Sequence, residues 1–210
     1  MLSYTDYIKI FVGLIAIVNP IGAIPIFLGL TSGVTEANRR LITNRVATTV
    51  GWILLLALAV GEQILEFFGI SINSFRVGGG ILILLVSVSM LHARTSGTAQ
   101  TTDEARETAE KESIAVVPLA IPLLAGPGAI STVILDAHKG SGLLHYGIVA
   151  LSILALTAML WFTLRLSPYI ARHISVTGIN VFTRIMGLIL AAIAVEFIAN
   201  GLKGLFPALA

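Results

Sequence analysis

The chain has 210 residues, of which 56% are hydrophobic and only 11% are charged, and its mean hydropathy is +0.96. Because an ordinary soluble domain carries about 25% charged residues, this composition excludes a soluble protein and indicates an integral membrane protein. The net charge of +2 is unremarkable, and the basic residues are too sparse for a nucleic-acid partner. The sequence has no cysteine, which excludes disulfides, thiolate metal ligands and a cysteine nucleophile.

Six apolar runs are long enough to cross a bilayer, which needs roughly 20 residues per helix. They lie at about 7–30, 43–66, 74–93, 114–136, 143–165 and 181–203. The first run is longer than a secretory signal and is interpreted as a retained span. Pro168, after the fifth run, is expected to end that helix or to start an interfacial turn. The sequence therefore predicts an all-α integral membrane fold of six transmembrane helices in a single domain, residues 1–210.

Lysine and arginine are distributed unevenly between the loops, which predicts the orientation. The first, third and fifth loops hold eight of them: Arg39, Arg40, Arg45, Arg94, Arg106, Lys111, Arg165 and Arg172. The opposite side holds four: Lys9, Arg76, Lys139 and Lys203. The odd-numbered loops are therefore predicted to be cytoplasmic, and the protein is predicted to be a multi-pass protein of the inner membrane with both termini in the periplasm.

An offset of 107 residues aligns the two halves of the chain. It places the following residues on each other: Pro20 on Pro127, 72–75 on 179–182, and Gly80 on Gly187. Three spans per half is an odd number, so the second half must enter the membrane from the opposite side. The sequence therefore predicts two inverted three-helix repeats, about 1–94 and about 113–210. The polar segment between them, about 95–112, is interpreted as a solvated cytoplasmic linker.

Each half has prolines and glycines inside its first apolar run, at Asn19 to Pro25 and at Pro122 to Thr132. Proline removes an amide donor and glycine lowers the cost of non-helical dihedrals. The first and fourth helices are therefore predicted to be discontinuous. Because unpaired backbone groups are costly in hydrocarbon, the breaks are expected to face protein or a wet cavity.

A broken helix suits a compact zwitterion, since the start of one half-helix offers N–H groups to a carboxylate and the end of the other offers carbonyls to an ammonium or cation. In transporters built from inverted repeats the substrate lies near the midplane, between such breaks. The predicted substrate-binding residues are Asn19, Pro20, Gly22, Ala23, Gly126, Pro127, Gly128, Ser131 and Thr132. Their side chains are small, and three of them add neutral hydrogen-bonding groups.

Few charged residues lie inside the apolar runs. Glu196 lies in the last one, where a carboxylate is a functional candidate by default. It is predicted to couple transport to a proton or cation, and a structural role near Lys203 is the alternative. Arg76 is expected to snorkel to an interface, and Asp136 and His138 are expected to meet water at the end of the fourth run.

Four stretches carry a resemblance to a known family: NPIGAIPIFLGLT, GISINSFRVGGGILIL, VVPLAIPLLAGPGAIST and GINVFTRIMGLILAAIAVEFI. They resemble the MarC family of six-span inner-membrane proteins, which includes the SnatA-type small neutral amino acid transporters. The resemblance covers nearly the whole chain. It implies transport of amino acids such as alanine and glycine, with the Asn-Pro and Gly-Pro-Gly motifs as the site.

These features together predict a secondary transporter of small neutral amino acids that works by alternating access. Its expected partners are those amino acids and the lipid bilayer, with a homo-oligomer left open. No phosphate loop, zinc-binding helix motif or Ser/His/Asp set at one depth is found in the sequence, so neither an enzyme nor a metal site is predicted. No cofactor is predicted besides a driving H⁺ or Na⁺.

Two alternatives stay open at this point. The first is an exporter of metal or other inorganic ions on a similar scaffold, which would need clustered acidic or histidine ligands at midplane depth. The second is a membrane partner protein that transports nothing, which would need no cavity and no broken helices.

Overall fold

The computed structural model describes residues 2–31, 33–92, 124–206 and 208. Every regular element in these ranges is a helix, as predicted. In chain order the helices are α1 (Tyr4–Val18), α2 (Ile24–Leu30), α3 (Glu36–Phe67), α4 (Ile72–Leu91), α5 (Pro127–His138), α6 (Leu143–Arg165), α7 (Ser167–His173) and α8 (Val176–Leu205). The predicted linker at 95–112 and the first part of the fourth apolar run lie outside the described residues.

Four of these helices, α3, α4, α6 and α8, are long and apolar enough to cross a membrane. Their outer faces carry large exposed hydrophobic side chains, for example Trp52 (67% exposed), Leu151 (64%) and Leu188 (60%). A soluble protein rarely exposes so much contiguous apolar surface. These faces are therefore solvated by lipid, and the prediction of a multi-pass membrane protein is confirmed.

The helix boundaries follow local signals as well as the apolar runs. α6 has the predicted bounds, and Pro168 lies in the first turn of the short α7, as expected of a turn after the fifth run. α3 begins before the predicted residue 43 because Thr35 caps it, accepting a hydrogen bond from the N–H of Asn38 (3.4 Å). Its polar first turns are also stabilised by the pair that Glu36 forms with Arg40.

The helices α4 and α8 pack against each other through glycines. A Cβ atom built on Gly80 would lie 3.0 Å from the carbonyl O of Ala194, and one built on Gly187 would lie 3.1 Å from the carbonyl O of Ser87. The residue number rises in α4 while that of its partner falls in α8, so the two helices are antiparallel. Small residues at such positions let two backbones approach closely.

Replacing Gly80 with alanine is expected to destabilise the protein, because the new methyl group would meet the backbone of α8. Overpacking of this kind costs about 1–3 kcal/mol. Gly78 is a matched control, since nothing lies within 4 Å of a Cβ built on it and both variants gain the same helix propensity. The measurement is the thermal unfolding midpoint in detergent. Equal midpoints for Gly80→Ala and Gly78→Ala would contradict the described packing.

Candidate functional site

The first apolar run is interrupted at Asn19. α1 ends at Val18, Asn19 adopts a left-handed conformation (φ 46°, ψ 65°), and α2 begins only at Ile24. Asparagine tolerates this conformation better than most residues. Its Oδ1 accepts a hydrogen bond from the N–H of Gly22 (3.2 Å), which closes the turn. The predicted discontinuity of the first helix is therefore confirmed.

The second predicted break coincides with the start of α5. Gly126 is the N-cap in an extended conformation (φ −69°, ψ 176°), and Pro127 begins the helix. Proline is suited to this position because the first helical N–H has no intrahelical acceptor in any case. For the same reason the N–H groups of Gly128 and Ala129 have no acceptor inside α5. Discontinuity of the fourth helix before Leu124 stays a prediction.

The two breaks lie side by side. A Cβ atom built on Gly128, in the first turn of α5, would lie 3.8 Å from Cγ2 of Ile17, in the last turn of α1. It would lie 3.5 Å from Cγ1 of Ile83 on α4. Both distances are ordinary van der Waals contacts, so Gly128 packs against Ile17 and Ile83 and a methyl group added to it would not displace them. The carbonyl end of α1 therefore meets the amide end of α5.

Most of the predicted site residues are enclosed. The structure buries Pro20, Ala23, Gly126, Gly128, Ser131 and Thr132, half-buries Asn19 and Gly22, and exposes Pro127. Thr132 donates its hydroxyl hydrogen to the carbonyl O of Gly128 (2.9 Å). Ser131 packs under Gly79 of α4, where a Cβ atom would lie 2.9 Å from the Ser131 Cβ.

A cavity of about 560 Å³ lies between α1, α4, α5 and α8. Its polar lining residues are Lys9, Arg76, Thr132, Asp136, Lys139, Glu196 and Asn200. Ile17 and Thr132, which are 8% and 4% exposed, form its buried end. The side chain of Lys9 is 74% exposed, and α1 rises about 12 Å from Lys9 to Ile17 at ~1.5 Å per residue. The cavity therefore leads from an exposed rim to the two breaks.

Two of the predicted site residues, Thr132 and Glu196, line this cavity directly. Arg76, which was expected to snorkel to an interface, lines it too. The cavity thus carries side chains of both charges. Among the residues that the structure describes, no three His, Asp or Glu side chains form a group that could hold a metal ion.

The expectation that Asp136 meets water is wrong. This residue is 2% exposed, and its Oδ1 lies 2.7 Å from Nζ of Lys139, whose side chain is 42% exposed. A carboxylate at the end of an apolar run looks solvated in sequence, but here Asp136 is buried where α5 packs against His145 of α6. The signal that was missed is the spacing of Asp136 and Lys139, three residues apart on one helix face. His138 is exposed, as expected.

Polar contacts tie the end of α5 to three neighbouring helices. Nε2 of His145, on α6, lies 3.0 Å from the carbonyl O of Asp136. Because a carbonyl only accepts, Nε2 carries the proton and Nδ1 can accept from the hydroxyl of Tyr7 on α1 (3.1 Å). Nδ1 of His138 donates to Oε1 of Glu62 on α3 (2.7 Å). These contacts hold the C-terminal end of α5 against α6 and α3, and through His145 they connect it to α1. The sequence did not predict any of these contacts.

Helices with lipid-exposed outer faces around a charged internal cavity define a polytopic integral membrane protein. Residues 4–206 match the family described as MarC family integral membrane protein, and the chain belongs to this family. The resemblance found in the four sequence stretches is confirmed at that level.

Several relatives match over almost the whole chain. The UPF0056 membrane protein YhcE of Escherichia coli (strain K12) is 46% identical, covering 99% of this chain and 96% of that protein. The UPF0056 membrane protein YvbG of Bacillus subtilis (strain 168) is 41% identical, covering 99% of each chain. MJ0972 of Methanocaldococcus jannaschii is 41% identical over 95% of this chain and 88% of that protein. These names state no substrate, and no solved structure matches the chain.

Proposed function

We propose that this protein is a secondary transporter of small neutral amino acids, of the alanine and glycine type, and that it works by alternating access. The observation that carries the proposal is the meeting of two helix ends of opposite polarity at the buried end of a charged cavity. Ile17 marks the carbonyl end of α1 and Gly128 the amide end of α5.

The polarity of these helix ends matches an amino acid. The N–H groups in the first turn of α5 carry partial positive charge and suit the substrate carboxylate, while the last carbonyls of α1 suit its ammonium group. Thr132 lies one turn further along α5, at the buried end of the cavity. The resemblance to SnatA-type transporters supports alanine and glycine as substrates.

The proposed architecture is six spans in two inverted repeats, with substrate at the midplane. The glycine contacts between α4 and α8 support it. Gly80 contacts Ala194 and Gly187 contacts Ser87, and Gly80 and Gly187, like Ser87 and Ala194, are 107 residues apart. Each contact therefore becomes the other when every residue is replaced by its equivalent in the other half of the chain, 107 residues away. An antiparallel pair with this property has a twofold axis across its helices, as inverted repeats require.

The proposed location is the bacterial inner membrane, with both termini in the periplasm. On this assignment the rim of the cavity, at Lys9 and Lys139, faces the periplasm. Glu196, which is exposed and lines the cavity, is the proposed coupling group if a proton drives transport. Sodium held by the carbonyls of a half-helix is the other proposed coupling. We propose no enzymatic activity and no nucleic-acid partner.

The proposal is tested by reconstituting the purified protein into liposomes loaded with alanine. External labelled alanine or glycine is expected to exchange into these vesicles faster than into protein-free ones, whereas labelled leucine is not. Imposed proton or sodium gradients identify the coupling ion. If exchange is no faster than in protein-free vesicles under any of these gradients, the proposal of amino acid transport is contradicted.

Glu196→Gln in the same assay tests the proposed coupling group. If Glu196 carries the proton, the variant is expected to keep alanine exchange and to lose its dependence on pH. An unchanged pH dependence would exclude Glu196 as the coupling group. Inserted protein is quantified for each variant, so that a change in rate is not confused with a loss of protein.

A further inference from the structure

A second cavity, of about 490 Å³, lies away from the first one, between the start of α3 and the corner where α6 meets α7. Its lining residues from α3 are Glu36, Arg39, Arg40 and Thr43. Those from the α6–α7 corner are Leu164, Arg165, Leu166, Pro168 and Tyr169. Three arginines and one glutamate thus face a space within the size range of small-molecule sites, roughly 300–1,000 Å³.

The charges around this cavity do not balance. Glu36 already pairs with Arg40, one turn along α3. Arg39 donates from Nη2 to the backbone carbonyl O of Thr31 (3.3 Å). Its Nε is buried and has no hydrogen-bond partner among the described residues. Because buried donors are nearly always paired in proteins, this N–H indicates an acceptor that the described residues do not supply.

The opposite wall supplies a second guanidinium. Arg165 stacks on the ring of Trp161, with Cζ 5.3 Å from the ring centroid, which holds its side chain beside the cavity. A guanidinium presents its donors in a planar fork that matches phosphate oxygens. Arg39 and Arg165 therefore place guanidinium groups on opposite walls of the same cavity.

The position of the cavity indicates where such a phosphate would come from. Trp161 and Tyr169 lie at the same end of the bundle, and these residue types are enriched at membrane–water interfaces. Beside the arginines, Leu166 is 50% exposed and lines the cavity together with Pro168. An anionic head with an apolar body fits this combination better than a free ion does. Basic pockets between membrane helices on the cytoplasmic side bind anionic lipid headgroups, and the arginine-rich end is cytoplasmic in the proposed orientation.

We infer that this cavity is a binding site for the phosphate group of an anionic membrane lipid. Arg39 and Arg165 hold the phosphate, and Leu166 and Pro168 pack against the glycerol and the start of the acyl chains. The site is separate from the cavity that ends at Ile17 and Thr132. It does not depend on which substrate the protein transports.

The test uses the full-length protein, delipidated in a neutral detergent, and native mass spectrometry of bound lipid. The probes are dioleoylphosphatidylglycerol, zwitterionic dioleoylphosphatidylethanolamine and inorganic phosphate. Arg39→Gln/Arg165→Gln is expected to weaken phosphatidylglycerol binding about tenfold or more, as loss of charge-assisted hydrogen bonds implies. Arg45→Gln is the matched control, because Arg45 is an exposed arginine of α3 outside the cavity lining.

The single variant Arg165→Gln keeps the hydrogen bond between Arg39 and Thr31. It replaces the double variant in the binding measurement if the double variant does not fold. Phosphatidylglycerol binding that depends on these arginines and exceeds phosphatidylethanolamine binding supports the inference. If inorganic phosphate binds in an arginine-dependent way and neither lipid does, the cavity is a phosphate site, but the inference that the phosphate belongs to a lipid is overturned. If no probe distinguishes the wild type from the arginine variants, or if Arg45→Gln loses as much affinity, the inference is overturned.

Discussion

Replacing Gly13 with phenylalanine is expected to reduce alanine exchange to the level of protein-free vesicles. Gly13 lies on α1 and lines the cavity between its rim and its buried end. Nothing lies within 4 Å of a Cβ atom built on it, so a side chain can begin there without a clash, and we expect the aromatic ring to occupy the cavity that Gly13 lines. The measurement is the initial rate of labelled alanine exchange in liposomes, together with the amount of inserted protein.

Gly147→Phe is the control for this prediction. Gly147 is exposed on α6, also has nothing within 4 Å of a built Cβ, and does not line the cavity. It undergoes the same substitution in a membrane helix, so its exchange rate should stay near that of the wild type. Wild-type exchange by Gly13→Phe would show that substrate does not pass through this cavity, even if the protein transports amino acids by another route.

Lys139→Leu is expected to be among the most destabilising single substitutions in the chain. It would leave the carboxylate of Asp136, 2% exposed, without the ammonium group that lies 2.7 Å away. Breaking a buried ion pair from one side costs about 3–5 kcal/mol. The lower end, about 3 kcal/mol, applies here because Lys139 itself is 42% exposed and the pair is partly solvated. The measurement is the free energy of unfolding in detergent at pH 8.

Removing the charge of Asp136 at the same time should recover part of this loss. Asp136→Asn/Lys139→Leu is therefore expected to be more stable than Lys139→Leu, because no buried charge is left unpaired. Lys203→Leu, at an exposed lysine of α8, should change stability by no more than about 0.5 kcal/mol. If Lys139→Leu and Lys203→Leu are equally stable, the ion pair contributes nothing to the fold.

Local signals in the sequence were sufficient for much of the helical architecture. The bounds of α6 were predicted correctly because the apolar run ends where glycine and proline interrupt the helix on either side. The break at Asn19 was also predictable, since a proline removes a backbone donor wherever it occurs. The start of α3 at Glu36 was missed because polar first turns are stabilised by a cap and a side-chain pair rather than by apolar residues.

Composition, apolar runs and the positions of proline and glycine are local properties. From them the sequence by itself determined that this is a membrane protein, where most of its helices lie and where the first helix is broken. The tertiary structure decided which residues meet. Only packing brings Ile17 against Gly128, and only the packing of α5 against α6 buries the side chain of Asp136. Likewise, Arg39 and Arg165 lie far apart in sequence and share a cavity because α3 packs against the α6–α7 corner. Burial and contact between distant segments depend on how the helices are arranged, and no local pattern encodes that arrangement.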